Sequence, residues 1–543
     1  MAIKAFDNPV VTKELRSRMR GSRAYWVLFI YLSILAVTLF LSYLSWWNSH
    51  NSDTMSGGSA LSFTAGRMFF TTLFAVQAVL ISLIMPALTS GAISIEREQR
   101  TFELLRSTTL STRSIVLGKL FSSLSFVCLL LTASLPLISI CFLLGGVSPQ
   151  QVGVTYLLLL LNAVVYGAVA LAWSAGTGST ATATAMSYGS LFLYFCVTAP
   201  FAIMGVMRGA MRGGQQLSLS ALNPVGSIVG ADFETYYRWP MPAWVPALLI
   251  NGLLIVLMLV LAGSRLSDNP RRRTPLVRGS LFLFLGCALF FLDGSPILSF
   301  TPSYAALTLT LAGLIALILF VPPFVTGELR DQYEAAVAEE PYWRRALFGH
   351  DLTAGVATAL AMVAVIGGVT AFAFSTWRAT YSVTSLSSDV VMGAIVMYAS
   401  IALALAGCGK LLSVALRNRW AAMVMLYVLA ALTMVLPYMT YNAQQSASYG
   451  QLYTENLASP PFSDNLLYFC PLISLQQLCF DQGNGFSLLP AQSHLLFNST
   501  LPDFVVCSSL YLLIGVLGFI IARVIEKRRA SAPLKVKTAA AKS

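Results

Sequence analysis

Ile95-Glu96-Arg97-Glu98-Gln99-Arg100-Thr101-Phe102-Glu103-Leu104-Leu105-Arg106-Ser107-Thr108-Thr109-Leu110-Ser111-Thr112-Arg113-Ser114-Ile115-Val116-Leu117-Gly118-Lys119 is the first long charged segment between two apolar runs. It carries Glu96, Glu98 and Glu103 against Arg97, Arg100, Arg106, Arg113 and Lys119, with Phe102, Leu104, Leu105 and Leu110 interspersed. Charges mixed with a few large apolar residues on a short membrane-edge helix suit a protein docking surface. An ordinary loop between two membrane helices has the same composition, so on the residues alone both readings stand.

The order Glu96-x-Glu98, Thr101-x-Glu103-Leu104-Leu105, Thr108-x-Leu110-Ser111 and Ile115-x-x-Gly118-Lys119 resembles the segment after the second membrane helix of type-2 ABC transporter permeases. In that family the segment contains a coupling helix seated in a groove of a separate ATPase subunit. The resemblance implies a coupling helix near 97–110, with Glu96, Glu98, Thr101, Phe102, Glu103, Leu104 and Leu105 as docking residues. It also implies that ATP and Mg are bound by a partner ABC ATPase, expected in two copies, and not by this chain. Two positions depart from the family pattern: Arg100 stands where Gly is usual, and Thr109 where Pro is common.

Working outward, the 543 residues are 57% hydrophobic and only 10% charged, with a mean hydropathy of +0.73. A soluble domain carries about 25% charged residues, so the chain is expected to be an all-α polytopic membrane protein. A net charge of +12 would suggest nucleic acid in a soluble protein. Here membrane topology explains it better, and no nucleic-acid partner is expected. Lys4, Lys13, Arg16, Arg18, Arg20 and Arg23 precede an apolar run from Ala24 to Trp46. That run is long enough to span a bilayer and lacks a small-residue cleavage site, so it reads as a retained helix. Before it, Asn8-Pro9 can open a helix with Val11, Leu15 and Met19 on one face, an interfacial elbow lying on the inner leaflet.

Apolar runs place candidate spans near 24–46, 68–93, 114–143, 153–173, 182–206, 243–264, 277–298, 303–325, 353–375, 389–414, 419–438 and 503–524. About twelve spans put both termini on one side. Lys and Arg decide which. With the N-terminus inside, the inner segments hold six, five, five, three, three and seven, and the outer side only Arg67, Arg208, Arg212, Arg238 and Arg378. Loop 439–502 has none. The bias puts both termini in the cytoplasm.

The halves look related. Asp7-Asn8-Pro9 leads to Arg20-Gly21-Ser22, and Asp268-Asn269-Pro270 leads to Arg278-Gly279-Ser280. Asn223-Pro224-x-x-Ser227 is matched by Cys470-Pro471-x-x-Ser474, and Pro86 and Pro322-Pro323 each precede a charged segment. These point to two parallel six-helix units of ABC-2 type, residues 1–265 and 266–526, followed by a basic tail over 527–543. The second inner segment is more acidic and lacks the Thr-x-Glu-Leu-Leu core. Glu328, Arg330 and Tyr333 are its docking candidates, so two ATPases would be held unequally. The tail is expected to be a disordered anchor at anionic lipid.

No phosphate loop is present: Gly118-Lys119 has no Gly five residues before it, and Gly407-Cys408-Gly409-Lys410 is followed by Leu411. His50, His350 and His494 lack metal-ligand spacing, and no catalytic residues are assigned. Inside the spans the polar residues are few. Gln77, Asn162 and Asn251 are expected to bond between helices, and the small-residue run Ser174–Ala183 to form a tight inner turn. Most Cys residues lie in apolar runs and are expected to pack as small apolar groups. Cys470 and Cys479 share an outer loop, and whether they form a disulfide is left open. Asn498-Ser499-Thr500 would matter only in a eukaryotic secretory pathway.

The function expected is that of a permease subunit in a bacterial cell membrane, exporting a substrate the residues do not name. Two rivals remain. A secondary transporter needs buried ionisable residues, which this chain almost lacks. A non-transporting scaffold or assembly factor would use loop 439–502, with Tyr441, Tyr449, Tyr453 and Phe462, to bind an external partner.

Overall fold

The computed structural model describes residues 22–50, 58–102, 111–145, 147–192, 194–195, 215–216, 235–236, 244–266, 270–292, 302–325, 352–381, 388–416, 421–433, 470–474 and 503–531. Eight helical stretches among them are long and apolar enough to cross a membrane: Ala24–Asn48, Ala65–Glu98, Thr112–Cys141, Pro149–Gly176, Trp244–Leu266, Gly355–Thr376, Val390–Leu416 and Val505–Lys527. The chain is therefore an all-α polytopic membrane protein. Three further apolar helices are shorter, Pro275–Phe291, Leu309–Val325 and Ala421–Thr433. Residues 180–192 are helical at the start of the expected 182–206 span. The chain divides into two compact units, Met1–Pro296 and Ile297–Ser543.

In the first unit, α1 is Ser22–His50, α2 Gly58–Thr89, α3 Gly91–Glu98, α4 Thr112–Ala133, α5 Leu135–Leu144 and α6 Pro149–Gly176. Residues 180–192 form α7, followed by α8, Trp244–Leu266, and α9, Pro270–Leu292. Between α7 and α8 the two-residue strands β1, Gln215–Gln216, and β2, Thr235–Tyr236, pair in parallel. α6 is the hub, packing against α2, α3, α4 and α8. Two-thirds of its most apolar stretch (67%) is buried, against 17% for α1, so α1 presents most of its surface to lipid. Local sequence explains why α6 starts where it does. Ser148 and Gln151 form a reciprocal capping box and Pro149 occupies the first turn, satisfying donors that hydrocarbon could not.

Proline marks two interruptions. Pro136 follows the break between α4 and α5, where the Leu131 carbonyl accepts from the Ser134 hydroxyl at 2.7 Å and the Tyr156 hydroxyl at 3.4 Å. Pro86 lies inside α2, and the Tyr188 hydroxyl of α7 donates to the nearby Leu83 carbonyl at 2.6 Å. A proline opens the helix ladder, and side-chain donors from neighbours refill it.

The buried amides were expected to bond between helices. Asn251 donates to the carbonyl of Ala247 on its own helix, at 2.9 Å. The Gln77 amide is fully buried and faces the Tyr31 hydroxyl of α1. Tyr31 also meets Ser134, whose hydroxyl is engaged at the α4–α5 break together with Tyr156.

In the second unit, α10 is Pro302–Phe320, α11 Pro322–Val325, α12 Leu352–Tyr381 and α13 Ser388–Leu416. Ala421–Thr433 is α14 and Asp503–Ser531 is α15. Pro322-Pro323 stops α10 and starts the short α11. α13 is the buried hub here, packing against α10, α11, α12 and α15. Its contact with α15 is backbone on backbone: a Cβ on Gly407 would strike the Gly515 carbonyl, and one on Gly515 would meet the Leu403 carbonyl at 2.7 Å. Small residues allow such approach, which is how helices associate where the solvent is itself apolar.

One expectation is displaced here. The tail was expected to be disordered, yet α15 continues through Lys527-Arg528-Arg529 to Ser531. No Gly or Pro intervenes before Pro533, and cations suit a helix C-terminus. Cys470 is buried, and Cys479 lies outside the described residues. The elbow at 8–20, the bulk of loop 439–502 and the segment 326–351 also lie outside them.

Candidate functional site

The charged segment begins as an extension of α2. Ser90 keeps helical backbone angles and donates its amide to the Pro86 carbonyl at 2.8 Å, so α3 follows after a single-residue break. Ser90 does not cap α3 with its side chain. Instead Ser174 of α6 reaches across: its hydroxyl oxygen accepts from the Ile93 and Ser94 amides, each at 3.0 Å. An N-cap is thus supplied from another helix to donors left over at the start of α3. Ser90 also shares a hydrogen bond with Thr184 of α7, at 3.0 Å between the two hydroxyls.

The end of α3 has a complete double-bonded stop. The Thr101 amide donates to Glu96 O at 2.9 Å and the Arg100 amide to Arg97 O at 3.1 Å, with Arg100 at φ 56°. This is a Schellman motif with Arg100 in the left-handed position. The departure noted above, Arg100 in place of the family's usual Gly, falls on the one residue whose backbone favours Gly.

Three consecutive side chains then tie the segment to the rest of the unit. Glu96 Oε1 accepts from Lys119 Nζ of α4 at 2.8 Å, with Lys119 2% and Glu96 26% exposed. Arg97 Nη1 donates to the carbonyl of Thr177, the C-cap of α6, at 3.3 Å, and its guanidinium lies 5.2 Å from the Phe102 ring. Glu98 Oε1 accepts from the Thr180 amide at 2.8 Å, and its Oε2 from the Thr180 hydroxyl at 2.9 Å. Thr180 is the first residue of α7, and Ser179 accepts from the Thr182 amide at 3.3 Å as its N-cap. From α8, Arg265 Nη1 donates to Ala172 O at 2.6 Å and stacks over Trp173 at 5.4 Å. The C-terminal end of α6 thus faces two guanidinium groups and the N-terminal end of α7 a carboxylate, each the favourable sign for its helix dipole.

Of the docking residues expected from sequence, Glu96, Glu98, Thr101 and Phe102 are therefore gathered around α3. Both glutamates are engaged within the chain. Thr101 is exposed, and its hydroxyl bonds back to Glu96 O at 3.3 Å. Phe102 is half-buried beneath Arg97. Glu103, Leu104 and Leu105 lie outside the described residues, as do Glu328, Arg330 and Tyr333. Sequence reasoning missed Ser174, Thr177 and Thr180 as partners of the segment. The clue was the small polar run Ser174–Ala183, read only as a tight turn. Among the described residues no three His, Cys, Asp or Glu side chains group to hold a metal.

A bundle of apolar helices, one of which runs on into a charged, capped helix joined to its neighbours, defines a multi-pass helical membrane protein. Residues 9–271, just under half of the chain, match the family model described as ABC-2 family transporter protein, and over this region the chain resembles an ABC-2 type permease. Such permeases are membrane subunits without an ATPase domain and generally work with a separate ABC ATPase. No curated protein matches the chain.

Proposed function

We propose that the protein is the membrane permease of an ATP-driven exporter, with the segment near 97–110 as its main docking point for an ABC ATPase. The observation that carries this is the end of α3. A candidate span leads into a charged helix whose firm stop at Arg100 presents Thr101 and Phe102, and in sequence these run on into Glu103-Leu104-Leu105 within the family-matched region. Glu96 and Glu98 hold that rim in place while Thr101, Phe102, Glu103, Leu104 and Leu105 meet the ATPase. ATP and Mg belong to the partner.

The second half docks a second ATPase copy more weakly, through Glu328, Arg330 and Tyr333. The repeat reading is supported by the place of the two buried hubs: α6 and α13 each correspond to the fourth apolar run of a half, and each has 67% of its most apolar stretch buried. In this reading about twelve spans cross a bacterial cell membrane with both termini inside, and loop 439–502 is available to an external partner.

The test is isolation of the tagged chain in mild detergent from its native membrane, probed for a P-loop ATPase. A stoichiometric ATPase is expected, lost on Leu104→Arg while the chain still inserts. A Leu104→Arg chain that keeps its ATPase defeats the assignment of the docking point. Absence of any ATPase, under conditions that preserve a known ABC complex, would favour a scaffold or a secondary transporter.

A further inference from the structure

We infer that Arg97 and Glu98 form a two-charge clamp on the α6–α7 turn, through which the docking segment moves α6 and α7 together. Resting as it does on the docking reading, this adds the residues that carry the motion inward.

The geometry is unusual in its economy of sequence. Two adjacent residues of opposite charge hold the two facing helix ends of one tight connection. Arg97 meets the carbonyl of Thr177, where α6 ends, and Glu98 meets the amide and hydroxyl of Thr180, where α7 begins. Each charge has the sign its helix end attracts. The Ile93 and Ser94 amides hold Ser174 one turn earlier, and Ser90 holds Thr184 one turn later. The turn is thus gripped along its whole length by α3, while Lys119 holds Glu96 to α4. These contacts involve charged groups and, at Glu98 and Thr180, lie at exposed positions. There they are directional but individually modest, as suits an element that must transmit motion without freezing the bundle. Among the described residues, α3 holds the α6–α7 turn on both sides of the connection.

The clamp assigns Glu98 a target inside the chain, and Thr180 tests that assignment without touching the docking segment. Thr180→Pro removes the amide and the hydroxyl that Glu98 holds, yet proline is favoured at the first position of a helix. The experiment uses the complex of the full chain with its co-purifying ATPase, carrying Gly178→Cys labelled with an impermeant fluorescent maleimide. Gly178 is exposed, and a Cβ there meets nothing within 4 Å. The chain without Gly178→Cys is the labelling blank. A non-hydrolysable ATP analogue is the probe.

With the docking residues native, the analogue is expected to change the fluorescence at 178. Thr180→Pro should reduce that change about fivefold, the low end of typical coupling between sites, with the ATPase still bound. Adding Glu98→Ala to Thr180→Pro should reduce it no further, since both break one contact. Should Thr180→Pro elute as an aggregate, Thr180→Val, which removes only the hydroxyl, is expected to give an intermediate loss. A full-sized change in the folded Thr180 variants, or no change at 178 in the parent complex, overturns the clamp while leaving docking intact. Failure of the parent chain to retain an ATPase overturns the docking reading itself and the clamp with it.

Discussion

At the scale of single residues, Arg100 shows how a departure from pattern acquires a cause. Its φ of 56° lies where a side chain costs about 1 kcal/mol relative to glycine. The position is exposed, so Arg100→Gly removes that cost without opening a hole. Part of the gain is offset by the greater freedom of glycine in the unfolded chain. We expect slower hydrogen exchange at the Thr101 amide, by about threefold, in keeping with a net gain under 1 kcal/mol. Unchanged or faster exchange would mean that Arg100 makes a compensating contact. The presence of this position was legible in the sequence, because Thr-x-Glu-Leu-Leu fixed the alignment to a known segment. The partners of Glu96 and Glu98 were not legible. Lys119 is 23 positions from Glu96 and Thr180 is 82 from Glu98, and no local periodicity relates residues that meet only when helices pack.

At the scale of elements, apolar runs were enough to place the long helices, since hydrocarbon accepts little else. They were poorer guides where proline intervenes. The run expected at 303–325 is interrupted at Val321 ahead of Pro322, and the tail expected to be disordered begins as a helix. The runs also said nothing of which helix is central. That depends on where backbones can approach, as α13 and α15 do at Gly407, Gly515 and Gly518. Gly515→Val is expected to separate this pair, because its branched side chain would meet backbone rather than a side chain able to turn aside. Overpacking of this kind costs about 1–3 kcal/mol or more, and the folded yield in detergent should fall sharply by size-exclusion profile. Substitution at Gly252, which has nothing within 4 Å, is the control and should leave the profile unchanged. Equal behaviour of the two variants would count against close α13–α15 packing.

At the scale of the whole molecule, the distribution of Lys and Arg makes a statement about sidedness. In intact cells, an impermeant thiol reagent should label a cysteine introduced at Ser446, within the Lys- and Arg-free loop 439–502, and should not label one introduced at Ser543 until the membrane is opened. Labelling of Ser543→Cys from outside would invert the topology and put the docking segment on the wrong side for an ATPase. Fold class was legible from composition alone, because no soluble protein of this length could be so poor in charge. The division into two compact units, Met1–Pro296 and Ile297–Ser543, was less so. α9 follows a repeat-like Asp268-Asn269-Pro270 start and yet packs on α8. A short connection between consecutive helices favours that pairing whatever their ancestry.

The near-continuity of α2 and α3 has a mechanical consequence. The stretch Ala65–Glu98 has 34 residues, about 50 Å of helix at 1.5 Å per residue. It works as a lever whose long arm lies in the bilayer and whose short handle is α3. A tilt of about 5° about its outer end would carry Glu98 sideways by about 4 Å, a distance greater than the hydrogen bond it makes. The handle must then release the α6–α7 turn, drag it along, or bend at Pro86 and Ser90. The gearing between a small rotation and a helix-sized displacement is set by which of these yields first.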